Sequence, residues 1–346
     1  MKAVIWNYKF SDMKETWSEQ ILWIIEALNS LNVTVKKHKD FICKGTENLA
    51  VYNHLIDNPC NICIYNHTDA SNIIGNVVKA NTNLFFKQTV PEVKYSTLDT
   101  LGYGPYSSIT YKKPDFNSVD KQTVDNFFNT KVKKWITTKS TKWGKYFKNN
   151  EEVIKENNYI LVLGQCGGDE VVTRHDFGVY FVKLESVVRE LSRITNEKIV
   201  VKLHPYTDGL KATNDNLTQT LKAKLMNAGN NVIVYTGMTN VHSFIEKSKC
   251  VILANSGSGF EAMMHNKPII SWGFPEYHWV TYDLRHLCDL KNAIQLDWFN
   301  LESQRNFLYW YMEKYAFYDK ETCFKRVSEL WNDIMANELV SEYNKE

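Results

Sequence analysis

Residues 251–275 read VILANSGSGFEAMMHNKPIISWGFP, and the fold turns on how this stretch is parsed. Val251-Ile252-Leu253-Ala254 is an apolar run without polar alternation, the pattern of a strand buried on both faces. Asn255-Ser256-Gly257-Ser258-Gly259 breaks it, Phe260-Glu261-Ala262-Met263-Met264 reads as helix, and Pro268-Ile269-Ile270-Ser271 opens a second apolar run. Strand, small-residue turn, helix and strand make a parallel β-α-β unit. Serines and glycines entering a helix offer backbone N–H groups, hydroxyls and the positive end of the helix dipole to an anion. The same residues also read as a plain helix start, because Ser258 with Glu261 three positions on forms an S-x-x-E capping box. The stretch alone leaves both readings open.

The alternation extends in both directions. YILVLGQ (159–165), KIVVKLH (198–204) and NVIVYTG (231–237) read as strands separated by helices near 181–195, LTQTLKAKLMNAG and NVHSFIEKS. Upstream, AVIWN (3–7) predicts a first strand and WSEQILWIIEALNSL (17–31) an amphipathic helix, with VTVKKH and NICIYNH as further strands. Residues 85–116 carry three prolines and no clear period, and so predict a long irregular segment. RNFLYWYMEKYAF and the residues to about 335 read as helical and aromatic. The expected divisions are 1–150, 151–317 and a closing helical segment at 318–346.

Composition narrows the function classes. The chain has 346 residues, 44% hydrophobic and 23% charged, the profile of a globular protein of about two domains. A net charge of +2 gives no support to nucleic-acid binding. One basic segment with tryptophans, KVKKWITTKSTKWGKYFK (131–148), reads either as a peripheral contact with an acidic lipid surface or phosphorylated acceptor, or as a solvated link between domains. Seven cysteines without a framework suit a reducing compartment, and Cys60-x-x-Cys63 lacks the second pair that a zinc site needs. No signal peptide and no run of 18 apolar residues is evident, so the reading is a cytoplasmic protein without a transmembrane segment.

Three polar turns fall at the carboxyl ends of predicted strands, where ligands bind in open parallel sheets. At 164–169 a Gly-rich loop carries Gln165 and Asp169, a carboxylate placed as nucleophile or base or merely as a cap. At 202–206, Lys202 and His204 share a strand face ahead of Pro205, and the imidazole suits a phosphate or leaving oxygen. The third is the turn at 254–261.

Taken in order, these residues resemble the capsule-polysaccharide synthesis family, which includes bacterial transferases that add Kdo to a lipid-linked acceptor from CMP-Kdo. The resemblance is carried by Gln165…Asp169, Lys202-Leu203-His204-Pro205, Asn255-Ser256…Gly259-Phe260-Glu261-Ala262 and Lys267-Pro268. Gly273-Phe274-Pro275-Glu276-Tyr277 and, upstream, Tyr95-Ser96-Thr97-Leu98-Asp99…Gly102-Tyr103 extend it over about 85–285. It implies a GT-B-like α/β architecture: two Rossmann-like doubly wound domains facing a cleft, with the C-terminal helices packing across both.

It further implies a glycosyltransferase acting on a nucleotide-sugar donor, CMP-Kdo-like or other, and a glycan or glycolipid acceptor. Asp169 and His204 would be catalytic. Gln165, Lys202, His204, Pro205, Asn255, Ser256, Gly257, Ser258 and Glu261 would bind the donor. No metal and no cofactor is expected. The chain departs from the family where an acidic Glu-x-Gly precedes an arginine: here NTNLFFKQT (81–89) has no acid, with Lys87 in the arginine's place. Glu92 and Asp99 are the nearest acidic substitutes for an acid/base or acceptor-side role. The alternatives are a non-catalytic GT-B scaffold in polysaccharide assembly or export, and a nucleotide-sugar epimerase.

Overall fold

The computed structural model describes residues 2–7, 19–38, 62–66, 82–88, 95–102, 104–141, 154–165, 183–204, 215–237 and 239–343. They form two compact units. One comprises 1–89, 93–112 and 311–346; the other comprises 90–92 and 113–310.

The first unit holds a six-stranded sheet ordered β12-β5-β4-β3-β1-β2. Its strands are β1 (Lys2–Asn7), β2 (Thr34–His38), β3 (Ile62–Asn66), β4 (Thr82–Gln88), β5 (Ser96–Asp99) and β12 (Ala316–Phe317). The first four are parallel; β5 runs antiparallel to β4, and β12 antiparallel to β5. Helix α1 (Glu19–Ser30) forms because Ile21, Ile24, Ile25 and Leu28 recur on one face, and all four are buried. It stops at Asn32, whose φ of 60° lets Val33 N–H reach Leu28 O at 3.0 Å, a Schellman closure. Its apolar face shares a core with Phe317, Cys323, Val327 and Leu330, three of them on the long final helix α11 (Lys320–Tyr343).

The segment expected to be irregular is more regular than its sequence suggests. It contains the end of β4, all of β5 and a one-turn helix α2 (Ser108–Tyr111). All four residues of β5 are buried, so no polar alternation marks it. The two-residue β12 is too short to carry any period at all.

The second unit holds a parallel sheet ordered β11-β10-β9-β6-β7-β8. Its strands are β6 (Tyr159–Leu163), β7 (Ile199–Lys202), β8 (Val232–Tyr235), β9 (Ser248–Leu253), β10 (Ile269–Ser271) and β11 (Tyr282–Asp283). Helices α5 (Leu184–Ile194), α6 (Asp215–Met226), α7 (Val241–Lys247), α8 (Ser258–Met264) and α9 (Leu290–Ala293) lie between or after these strands. The chain lays down β6, β7 and β8 outward on one side. It then returns to place β9, β10 and β11 on the other, the doubly wound order with its reversal between β6 and β9. The expected β-α alternation is met here almost element for element.

Residues 113–141, read from sequence with the first domain, pack with the second unit. They form helices α3 (Lys121–Phe127) and α4 (Lys133–Thr137), joined by a π-helical turn. Phe127 meets Tyr309 edge-on at 5.5 Å, and Asp125 pairs with Arg305 at 3.0 Å; both partners lie on α10 (Leu301–Trp310). Asn240 Nδ2 donates to Lys139 O at 2.9 Å. Trp135 of the basic segment is buried against Phe127, so this ring serves packing rather than a surface contact; Trp143 lies outside the described residues.

The same junction holds a histidine pair. His242 Nε2 lies 2.8 Å from Ser140 O and must donate to it, which leaves Nδ1 to accept from His265 Nε2 at 2.8 Å. Burial depresses the basicity of both rings, and His265, also facing His242 and Lys267, falls to about 3. Unfolded imidazoles titrate near 6.5, so the stability that depends on the neutral pair is complete above that pH. It is lost as pH falls from about 6.5 towards 3. Between pH 7.5 and 5, urea unfolding is expected to show the protein losing about 2 kcal/mol more than His265→Gln. Equal losses in the two proteins would refute the assignment.

Candidate active site

The strand order reverses between β6 and β9, and in doubly wound sheets the carboxyl ends of strands at such a reversal are where ligands bind. There Gln165, two residues past β6, and Asn255, two past β9, are bonded reciprocally. Gln165 Nε2 donates to Asn255 Oδ1 at 2.7 Å, and Asn255 N–H donates to Gln165 Oε1 at 3.3 Å. Asn255 Nδ2 continues to Gly273 O, past the end of β10, at 3.3 Å. Two amide side chains thus tie three strand ends together.

The turn after Asn255 differs from a simple capped helix. Ser258 is the first residue of α8 and Gly257 its N-cap, with no side-chain cap bond, so the Ser258–Glu261 capping box is not formed. Instead Ser256 Oγ accepts from Ser258 N–H at 3.2 Å. The amides of Gly259 and Phe260 are also used, reaching Ser256 O at 3.1 Å and Gly257 O at 3.0 Å. The free N–H groups expected of this turn are therefore partly spent on its own tight winding. Ser256, Gly257 and Ser258 remain half-buried.

A loop after β10 fixes the turn from beneath. Tyr277, buried, donates its phenol to Ser256 O in a short hydrogen bond, and its ring meets Phe260 edge-on at 5.1 Å. Burial, with the charges of Glu276 and Glu261, holds the phenol well above its usual titration range, so it stays a donor. Gly259 is required by this ring: a Cβ there would lie 2.3 Å from Tyr277 Cζ. Gly273 is required by the strand beside it, since its Cβ would fall 2.9 Å from the Ala254 carbonyl carbon. Gly273 and Tyr277 fall in the family-like stretch 273–277, where sequence alone assigns them no role. The clash is spatial and leaves no local signal.

The remaining expected residues take different places. Lys202 is 4% exposed and donates Nζ to Leu203 O at 2.9 Å and Gly237 O at 2.6 Å, which ties the backbone beyond β7 to that beyond β8. His204, two residues on, is half-buried at the same strand end. Glu261 is 1% exposed and lies under the turn, away from solvent. Asp99, in the first unit, is equally buried and holds a loop together. It accepts from the amides of Leu101, Gly102 and Ser108, from Ser108 Oγ at 2.5 Å and from Tyr315 OH at 2.7 Å. Asp169, Pro205 and Glu92 lie outside the described residues. Among the described residues no group of three His, Cys, Asp or Glu side chains is placed to hold a metal ion, and no helix is long and apolar enough to cross a membrane.

Comparison with known proteins gives this edge a context. A family model described as capsule polysaccharide biosynthesis protein matches residues 97–293. No curated protein matches the chain by sequence. Among solved structures, the β-Kdo 2,4 transferase of Thermosulfurimonas dismutans KpsC is similar with a TM-score of 0.55 and 16% identity, covering 91% of this chain and 92% of that one. The β-Kdo 2,7 transferase of the same organism's KpsC gives a TM-score of 0.52 and 15% identity, covering 95% and 99%. At these identities the likeness is one of fold, and that fold is the GT-B-like α/β arrangement of glycosyltransferases. With the family model spanning more than half its length, the chain belongs to the capsule polysaccharide biosynthesis family, with the fold of a Kdo-transferase-like glycosyltransferase.

Proposed function

We propose that the protein transfers a sugar from a nucleotide-activated donor, CMP-Kdo-like or another nucleotide sugar, to a glycan or glycolipid acceptor in surface polysaccharide or glycoprotein glycan synthesis. The observation that carries this is the Gln165–Asn255 pair bridging β6 and β9 at the sheet reversal, beside the serine-glycine turn. Such a reversal is where nucleotide ligands sit in doubly wound sheets. The donor phosphate would rest on the hydroxyls of Ser256 and Ser258, with His204 donating from the end of β7. A phosphate oxygen also makes a stronger acceptor than a neutral hydroxyl, so it can replace Ser256 Oγ on the Ser258 amide. Gln165, Asn255, Lys202, Tyr277 and the buried Glu261 act one layer down, holding the turn and strand ends in place. Asp169 supplies the catalytic carboxylate.

In this reading protein donors, not a bound metal, neutralise the leaving phosphate, and the enzyme works in the cytoplasm. The test is a thermal-shift series with CMP, UDP, GDP and dTDP and their sugars, paired with a nucleotide-release assay. One nucleotide is expected to raise Tm by several degrees, because a ligand at 100 times its Kd adds about 2.7 kcal/mol to stability. Release from the matching sugar nucleotide should survive a chelator. If no nucleotide stabilises the protein, the donor site is refuted; loss of activity with chelator would refute the metal-free part alone.

A further inference from the structure

The first sheet has a carboxyl edge of its own, and one carboxylate with two tyrosines adjoins it. By register, Ser96 of β5 lies opposite Gln88, the last residue of the parallel strand β4, and Phe317 of β12 lies opposite Ser96. Tyr95 and Tyr318, one residue beyond that pair, therefore stand at the edge where ligands bind in such sheets. Their rings pack at 4.8 Å. Glu313 joins them: Tyr95 OH donates to Oε1 and Tyr318 OH to Oε2, each at 3.2 Å. Tyr95 is buried, while Glu313 and Tyr318 are half-exposed, so one side of the cluster meets solvent. Asp99, by contrast, pairs with Phe85 further down β4, and all its described bonds go to the chain's own groups.

The backbone that presents Glu313 is unusual and well held. It is a π-helical turn, Tyr311–Tyr315, a conformation that recurs at functional sites. Tyr315 anchors it through its bond to Asp99, and Arg326 lies over the Tyr315 ring at 4.9 Å while donating to Leu98 O. A carboxylate flanked by two phenols on a rigid turn suits a polyhydroxylated ligand. The carboxylate accepts from sugar hydroxyls, the phenols donate or accept by rotation, and the rings cover the sugar's C–H face.

We propose that Glu313, Tyr95 and Tyr318 form the binding site for the acceptor sugar. The assignment of the ligand as acceptor rests on the sugar-transfer reading above; the site's affinity for a sugar does not.

The test is saturation-transfer NMR with methyl glycosides of glucose, galactose, N-acetylglucosamine and Kdo. At least one glycoside is expected to bind the unaltered protein. Glu313→Gln, which keeps an acceptor oxygen for the fold, should weaken that glycoside about tenfold, and Tyr318→Phe by about threefold. Tm should change little in either variant, which separates binding from a structural tie. The proposal is overturned if no glycoside binds, or if Glu313→Gln binds as well as the unaltered protein. Nucleotide thermal shifts on the same variants keep the two readings apart. Glycoside binding without any nucleotide response would sink the transferase and leave a sugar site; the reverse would sink this site and leave the donor site.

Discussion

Gly259→Ala is expected to collapse the serine-glycine turn and destabilise the second unit by about 3 kcal/mol, at the upper end for overpacking. The added Cβ would lie within 2.3–2.6 Å of two Tyr277 ring carbons and its phenol oxygen, and Tyr277 is 1% exposed, packed against Phe260 and bonded to Ser256 O. Neither partner can retreat, because the ring is buried and the glycine sits in the first turn of α8. Urea unfolding should register the loss, and nucleotide-induced thermal shifts should vanish with it. Removing the ring as well, in Gly259→Ala/Tyr277→Ala, should cost less than the sum of the two single changes, since the clash exists only when both groups are present. Wild-type stability in Gly259→Ala would mean that Tyr277 does not wedge the turn.

The second large effect concerns chemistry. Asp169→Asn is expected to lower transfer by three orders of magnitude or more, in the range seen when a covalent or general-base carboxylate is removed. Nucleotide-induced stabilisation should persist in this variant, because the proposed phosphate contacts come from His204, Ser256 and Ser258. Transfer within about tenfold of the unaltered enzyme would remove Asp169 from the mechanism. Loss of both transfer and nucleotide response would instead assign the loop at 164–169 to donor binding.

Much of this was legible in the sequence, for physical reasons that differ by region. The second sheet was readable because strands buried on both faces, such as YILVL and IVVK, are uninterrupted apolar runs closed by polar turns. The edge where Gln165, His204 and Asn255 gather follows from that alternation alone. What the sequence hid is what depends on distant pairing. The bond from the Lys202 ammonium to the Gly237 carbonyl at 2.6 Å spans 35 positions and leaves no local signature. Ser258 and Glu261 read as a capping box because the motif does not register Ser256 bonding the same amide. Glu313 sits in RNFLYWYMEKYAF among helical signals, and its two tyrosine partners are 218 and 5 positions away in the chain.

The short strand β12 also bears on how the protein is made. It places residues from both ends of the sequence in one sheet, so the first unit cannot be completed until 311–346 have left the ribosome. Residues 113–310, nearly all of the second unit, are contiguous and can fold as soon as they emerge. During that interval β5 lacks its outer neighbour, and the α1 face that receives α11 lacks its cover. Truncation before residue 311 would make this transient exposure permanent. Fragments ending there should aggregate through the first unit, however well the second has folded.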